Sequence, residues 1–212
     1  MSTLAPQPSL PDALAAPLPE RYNTILFFGA PGSGKGTQGK ALGSVPRFYH
    51  CACGDVFRSL DTRTKIGRSF LEYSSRGELV PSELTVELWK VQIQHNVESH
   101  RFKPDLDYLV LDGIPRNVEQ AKLMKSYIDV KKVFHLALPD RTELVVRLKK
   151  RALKDNRLDD ANESVIRQRL DVYEAESKPV LEYYGPGLVQ VIDATQPPAK
   201  VLLEILKTVT AL

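Results

Sequence analysis

The amino-acid sequence predicts an α/β fold: a three-layer arrangement in which a five-stranded parallel sheet carries helices on both faces, a helical insertion and a short lid. Three observations support it. Short apolar runs alternate with longer amphipathic segments, the pattern of βαβ units. The first apolar run leads directly into a glycine-rich loop, Gly29-Ala30-Pro31-Gly32-Ser33-Gly34-Lys35-Gly36-Thr37-Gln38, and then into a helix-compatible stretch. The gap at residues 52–107 is too long for a plain crossover and must hold extra helical structure.

Strands are expected at 24–28, 48–51, 108–111, 133–138 and 188–192, with helices near 35–43, 55–60, 63–75, 82–98, 117–127, 140–153, 161–184 and 197–209. Start and stop signals agree with this. Pro81-Ser82 and Pro139-Asp140 precede helical patterns, and Gly185-Pro186-Gly187 closes the long helix before the last strand. Trp89 sits among Val86, Val91 and Ile93 and is expected in the core. The charged stretch from Lys149 to Asn162 has the character of a flap.

Composition narrows the function. The chain has 212 residues, 42% hydrophobic and 26% charged, which suits one domain with a sizeable core. A net charge of +3, with arginines spread along the chain, argues against a nucleic-acid binder and for a polyphosphate pocket. No apolar run is long enough to span a bilayer, so no membrane partner is expected. Residues 1–20, rich in Pro and Ala and free of Lys and Arg, are expected to be a loosely ordered extension ahead of a domain at 21–212. Cys51 and Cys53 are expected on opposite faces of a strand, forming neither a disulfide nor a zinc site, as in a reduced, cytoplasmic protein. His50, His95, His100 and His135 show no ligand or triad spacing.

The glycine loop supplies the first chemical reading. Glycines let several backbone N–H groups face one anion, the following helix start adds positive charge, and Lys35 reaches the outer phosphates. The broad pattern places Ser or Thr after the lysine; Gly36 stands there, with Thr37 one position later. The run Tyr108-Leu109-Val110-Leu111-Asp112 ends an apolar strand in a carboxylate suited to holding Mg²⁺ through water, and Gly113-Ile114-Pro115-Arg116 sets a guanidinium beside it.

With these pieces the chain resembles the adenylate kinases, nucleoside monophosphate kinases, of the short-lid type. The resemblance runs from Thr24 to the C-terminus through GAPGSGKGTQ (29–38), CGDVFR (53–58), GELVP (77–81), LDGIPRNVEQ (111–120), NRLDD (156–160) and RQRLDVY (167–173). It implies reversible, Mg²⁺-dependent phosphoryl transfer from ATP to AMP by a monomer, without zinc, with an acceptor-binding insertion at about 52–81 and a lid at about 150–161. Gly32, Ser33, Gly34, Lys35, Gly36 and Thr37 would cradle the ATP phosphates, with Arg147 on its base, Arg151 on its phosphates and Gln196 also in the ATP site. Arg58 and Arg116 would grip the acceptor phosphate. Cys53, Glu78, Leu79, Val80, Gly113, Ile114, Pro115 and Gln120 would complete the AMP site, with Gln120 reading the base. Arg157 and Arg169 would close over the transferring group. Lys35, Arg116, Arg151, Arg157 and Arg169 form the implied catalytic set, and Asp159 and Asp160 resemble an acidic pair at the lid hinge. Many relatives carry Thr where this chain has Cys53, and those preferring pyrimidine monophosphates often carry Ala, which keeps a UMP/CMP kinase open beside the adenylate reading. A catalytically silent nucleotide-binding module is the third reading; it predicts loss of Lys35, Asp112 or a lid arginine, and all are present.

Overall fold

A computed structural model describes residues 21–155, 157 and 160–212. The extension at 1–20 and Asp159 lie outside the described residues. Five strands, β1 (Tyr22–Phe28), β2 (Phe48–Ala52), β3 (Tyr108–Asp112), β4 (Ile128–Ala137) and β5 (Val189–Asp193), form one parallel sheet in the order β2-β3-β1-β4-β5. β1 lies between β3 and β4, and from Ile25 to Phe28 its side chains are buried on both faces of the sheet. Leu26 and Phe28 join the apolar cluster that holds Trp89, Leu109 and Val133, whereas Ile25 and Phe27 join the cluster with Phe134, Leu136 and Ile205. An unbroken apolar run is therefore what this strand requires.

The helices are α1 (Lys35–Leu42), α2 (Cys53–Arg58), α3 (Lys65–Arg76), α4 (Ser82–Glu98), α5 (Val118–Met124), α6 (Arg141–Asp155), α7 (Glu163–Val172), α8 (Pro179–Tyr184) and α9 (Pro198–Val209). Side chains cap several of them: Thr64 accepts from the Gly67 N–H and starts α3, Asn117 accepts from the Gln120 N–H and starts α5, and Asn162 accepts from the Ser164 N–H and starts α7. Among the described residues, no helix is long and apolar enough to cross a membrane.

Three expectations need correction. β4 begins at Ile128, not 133: Ile128–Val130 pair with Tyr22–Thr24, and the charges of Asp129, Lys131 and Lys132 hid this half of the strand. The helix expected at 161–184 is interrupted, because a π-type turn, Tyr173–Ser177, separates α7 from α8. Pro179 lacks an N–H to donate and sits in the first turn of α8, where that loss is tolerated. Cys51 and Cys53 do not point apart. Residues two apart on a strand share a face, Cys53 opens α2, and the two buried, free thiols lie with sulfurs 4.0 Å apart.

α1 sits close to β2 because it lacks side chains where it faces His50. A Cβ on Gly39 would come within 2.3 Å of His50 Nε2, and one on Gly43 within 2.6 Å of the His50 Cβ. Gly39→Ala is therefore expected to destabilise the chain by about 1–3 kcal/mol, the usual cost of overpacking. His50→Ser in the same chain should recover most of that loss. Urea unfolding of the single and double variants measures both effects; equal stability of wild type and Gly39→Ala would contradict the packing described.

Candidate active site

β1 delivers the chain to Gly29, where the backbone turns sharply. Gly29 has φ 146°, and a Cβ there would lie 2.5 Å from Ser33 Oγ and 2.6 Å from the Leu136 carbonyl oxygen, so only glycine fits. The Ser33 N–H donates to the Ala30 carbonyl at 3.0 Å, and Gly34, at φ 102°, starts α1. The loop thus curls around the N-terminus of α1, whose free N–H groups favour an anion. Ser33 Oγ is buried without a hydrogen-bond partner among the described residues. Lys35 folds back over the loop, its Nζ donating to the carbonyls of Gly29 at 2.8 Å and Ala30 at 3.0 Å. Burial on the cavity floor pulls its ammonium down to about 8. Asp112 opposes that fall, and Arg116, Arg151 and Arg169 add to it.

Sheet order brings the second component to the same place. Asp112 ends β3 directly beside Phe27 of β1. Its Oδ2 lies 3.4 Å from the position a Cβ on Gly36 would take, and the carboxylate has no hydrogen-bond or ion-pair partner among the described residues. The chain then turns through Gly113 and a cis Ile114–Pro115 bond to Arg116. Arg116 Nε donates to the Gly113 carbonyl at 2.8 Å, and the Arg116 backbone N–H donates to Gln120 Oε1 at 2.8 Å. Gln120 is fully buried, and its Nε2 has no hydrogen-bond partner among the described residues. The Arg116 donor fixes the side chain's orientation: oxygen toward Arg116, NH₂ free.

The remaining cations come from α2, α6, α7 and the segment between α6 and α7. Asp160 is fully buried and holds two of them, accepting from Arg151 Nε on α6 at 2.7 Å and from Arg169 Nη1 on α7. The Asp160 N–H also donates to the Arg157 carbonyl at 3.1 Å. Arg157 Nη2 in turn donates to Asp55 Oδ1 on α2 at 3.0 Å, and Arg58 donates to the same oxygen at 2.7 Å. Arg147, one turn before Arg151, pairs with Glu143 at 2.6 Å, and Gln196 donates to Glu204 at 2.8 Å.

The phosphate loop, Asp112 and the cations line one cavity of about 790 Å³. It takes in Gly32, Ser33, Gly34, Lys35, Gly36, Thr37, Asp112, Arg147, Arg151 and Gln196 of the sequence-derived set. It also takes in Arg58, Glu78, Leu79, Val80, Gly113, Pro115, Arg116, Gln120, Arg157 and Arg169. Cys53 and Ile114 stand apart: each is 1% exposed, belongs to the apolar core, and is not part of the lining. Sequence reasoning did not single out Asp55, Phe57, Phe70, Thr85 or Tyr173, which also line the cavity. Asp55 and Phe57 fall inside CGDVFR and Tyr173 ends RQRLDVY, so the motifs contained a signal for these three. Tyr173 belongs to the π-type turn, and its hydroxyl lies 3.1 Å from His135 Nε2.

A glycine loop at the end of β1, a carboxylate at the end of β3 and a ring of arginines define a P-loop phosphotransferase built for two phosphate-bearing substrates. Comparison with known proteins agrees. A family model described as adenylate kinase matches residues 27–187. An adenylate kinase of Synechococcus sp. is 33% identical over 180 residues, covering 82% of this chain and 89% of its own length. One of Bacteroides fragilis is 34% identical over 195 residues, covering 89% of this chain and 98% of its own. One of Mycoplasma pneumoniae is 32% identical over 204 residues, covering 82% and 92%. The chain belongs to the adenylate kinase family.

Two outcomes follow from the geometry. Asp160→Asn removes the counter-charge shared by Arg151 and Arg169. The expected loss is about 2–3 kcal/mol, less than the ~3–5 of a fully buried pair because both arginines keep some solvent; thermal unfolding reads it, and an unchanged midpoint would contradict the assignment. The Lys35 ammonium binds phosphate only when protonated, so kcat/KM for ATP should fall as pH rises through about 8. Lys35→Arg, charged throughout, should be slower at neutral pH and flat across that range.

Proposed function

We propose that the chain catalyses reversible transfer of the γ-phosphoryl group of ATP to AMP, giving two ADP. The observation that supports AMP best is the orientation of Gln120. Its oxygen is engaged by the Arg116 N–H, which leaves a buried NH₂ as the group offered to a base. Adenine presents a ring-nitrogen acceptor to such a donor, whereas guanine and uracil present an N–H at that ring position, so the NH₂ reaches an acceptor only if the base shifts to offer a flanking carbonyl. A CMP kinase is the second reading. Cytosine also presents an acceptor, and Cys53, its thiol turned onto Cys51, offers the base no hydrogen bond.

The roles follow from charge and position. The loop from Gly32 to Thr37 and Lys35 hold the ATP phosphates, with Arg147 and Gln196 toward the base and Arg151 toward the phosphates. Arg58 and Arg116 hold the acceptor phosphate, and the Glu78–Val80 backbone and Gln120 meet its base. Arg157 and Arg169 stabilise the charge that spreads over the equatorial oxygens during transfer. No strong base is needed, because the acceptor phosphate is already an anionic nucleophile. Mg²⁺ fits the unpaired Asp112 carboxylate, a hard oxygen donor beside the loop; when bound, the ion neutralises charge on the transferring phosphates. The insertion at about 52–81 and the lid at about 150–161 close over both nucleotides and keep water from accepting the phosphoryl group. We read the protein as a cytoplasmic monomer acting on free nucleotides, and its two unbonded thiols fit a reducing compartment.

The test is to supply ATP and Mg²⁺ with AMP, CMP, UMP or GMP in turn and separate the products by chromatography. The reading expects ADP from AMP at a kcat/KM at least about tenfold above any other acceptor, about 1.4 kcal/mol of discrimination. Preference for CMP would establish the second reading. Turnover of UMP or GMP as the best acceptor would overturn the role given to Gln120.

A further inference from the structure

The acceptor end of the cavity is bounded by more than polar groups. Phe57 on α2 and Phe70 on α3 both line it, their ring centroids 5.6 Å apart and their planes inclined at 51°. Phe57 is 5% exposed and belongs to the apolar cluster that includes Trp89 and Ile114, so it has little room to move. Phe70 packs against the same cluster but is only partly buried. Both residues line the cavity that also holds the polar groups assigned to the acceptor. Arg58 directly follows Phe57, and the chain leaves α3 after Phe70 through Gly77 to reach Leu79 and Val80, all lining the same cavity.

We infer that Phe57 and Phe70 form the wall against which the acceptor's base packs, and that this wall selects a purine over a pyrimidine. The inference rests on the nucleoside monophosphate reading above and adds what that reading lacks. The Gln120 donor accepts adenine and cytosine alike, because both carry a ring-nitrogen acceptor. What separates these two bases is size. An aromatic pair gains dispersion and stacking contact in proportion to the ring area laid against it, and two fused rings offer more than one. The site therefore carries two independent filters: Gln120 sorts bases by the hydrogen-bonding group they present, and the Phe57–Phe70 wall sorts them by extent. Neither ring can donate or accept a conventional hydrogen bond, so the wall leaves the choice between adenine and guanine to Gln120.

The experiment compares the wild type with Phe70→Leu and Phe70→Met, measuring kcat/KM for AMP and CMP, KM for ATP and the thermal midpoint of each. Phe70 is the side chain to change because it is only partly buried, and Met keeps volume should Leu leave the chain unfolded. Loss of the ring should lower kcat/KM for AMP about tenfold, within the range set by base–aromatic stacking. The value for CMP should change less than about twofold and KM for ATP should hold, so the preference for AMP narrows about tenfold. Calorimetric titration with AMP alone should show the same weakening without turnover. Equal losses for AMP and CMP, or an unchanged ratio in a folded variant, would overturn the wall while leaving the adenylate reading intact. A wild-type preference for CMP would overturn that reading, and the wall with it.

Discussion

Like charges must be held together before any substrate arrives, and the rest of the structure depends on how that is done. Lys35, Arg58, Arg116, Arg151, Arg157 and Arg169 share one cavity. Two unit charges 4 Å apart repel by about 4 kcal/mol at the effective dielectric of a protein surface, so an unbalanced cluster would force the site open. Among the described residues, two carboxylates and a set of backbone carbonyls counter this. Asp160 holds Arg151 and Arg169, Asp55 holds Arg58 and Arg157, and the carbonyls of Gly29, Ala30 and Gly113 take Lys35 and Arg116. The donors are therefore oriented in advance, and phosphate oxygens meet an arrangement that needs little rearrangement to receive them.

The fold makes this possible through sheet order. β1 sits between β3 and β4, so the loop leaving β1 and the turn leaving β3 emerge side by side at the carboxyl ends of parallel strands, where ligands of open α/β sheets bind. The core clusters on the two faces hold these strand ends rigidly. Asp55 and Asp160 add a different kind of link. Asp55 ties α2 on one side of the cavity to Arg157 in the segment between α6 and α7, and Asp160 ties that segment to Arg151 on α6 and Arg169 on α7. These are polar contacts between elements that pack little otherwise, and incoming phosphates compete for the same guanidinium groups.

Much of this was legible in the residues. The apolar runs read directly as strands, and Gly29 to Gln38 located the phosphate loop because its glycines, lysine and following helix are required together. Asp112 and Arg116 could be placed because each is bound to the end of β3 by sequence. Other features were hidden for identifiable reasons. The first half of β4 carries Asp129, Lys131 and Lys132, which break the apolar signal, and the π-type turn at Tyr173–Ser177 leaves helical periodicity nearly intact on either side. The expectation that Cys51 and Cys53 point apart misapplied the two-residue period of a strand, and their contact is made where β2 passes into α2. Gln120 could be singled out from sequence, but not which end of its amide is free, since that depends on the Arg116 N–H. Phe57 and Phe70 carry no sequence signal that sets them apart from core residues, and their place in the cavity lining depends on the fold.

The central claim is that one cation-lined cavity receives the phosphates of two nucleotides at once. Calorimetric titration with two adenosines joined by a pentaphosphate bridge tests it most directly. The account predicts one molecule bound per chain, full competition with both ATP and AMP, and an affinity that falls steeply with added salt, since screening acts on every phosphate–guanidinium pair. Binding of the bridged compound while AMP still binds at undiminished affinity would contradict it, because the two phosphate sites would then be separate.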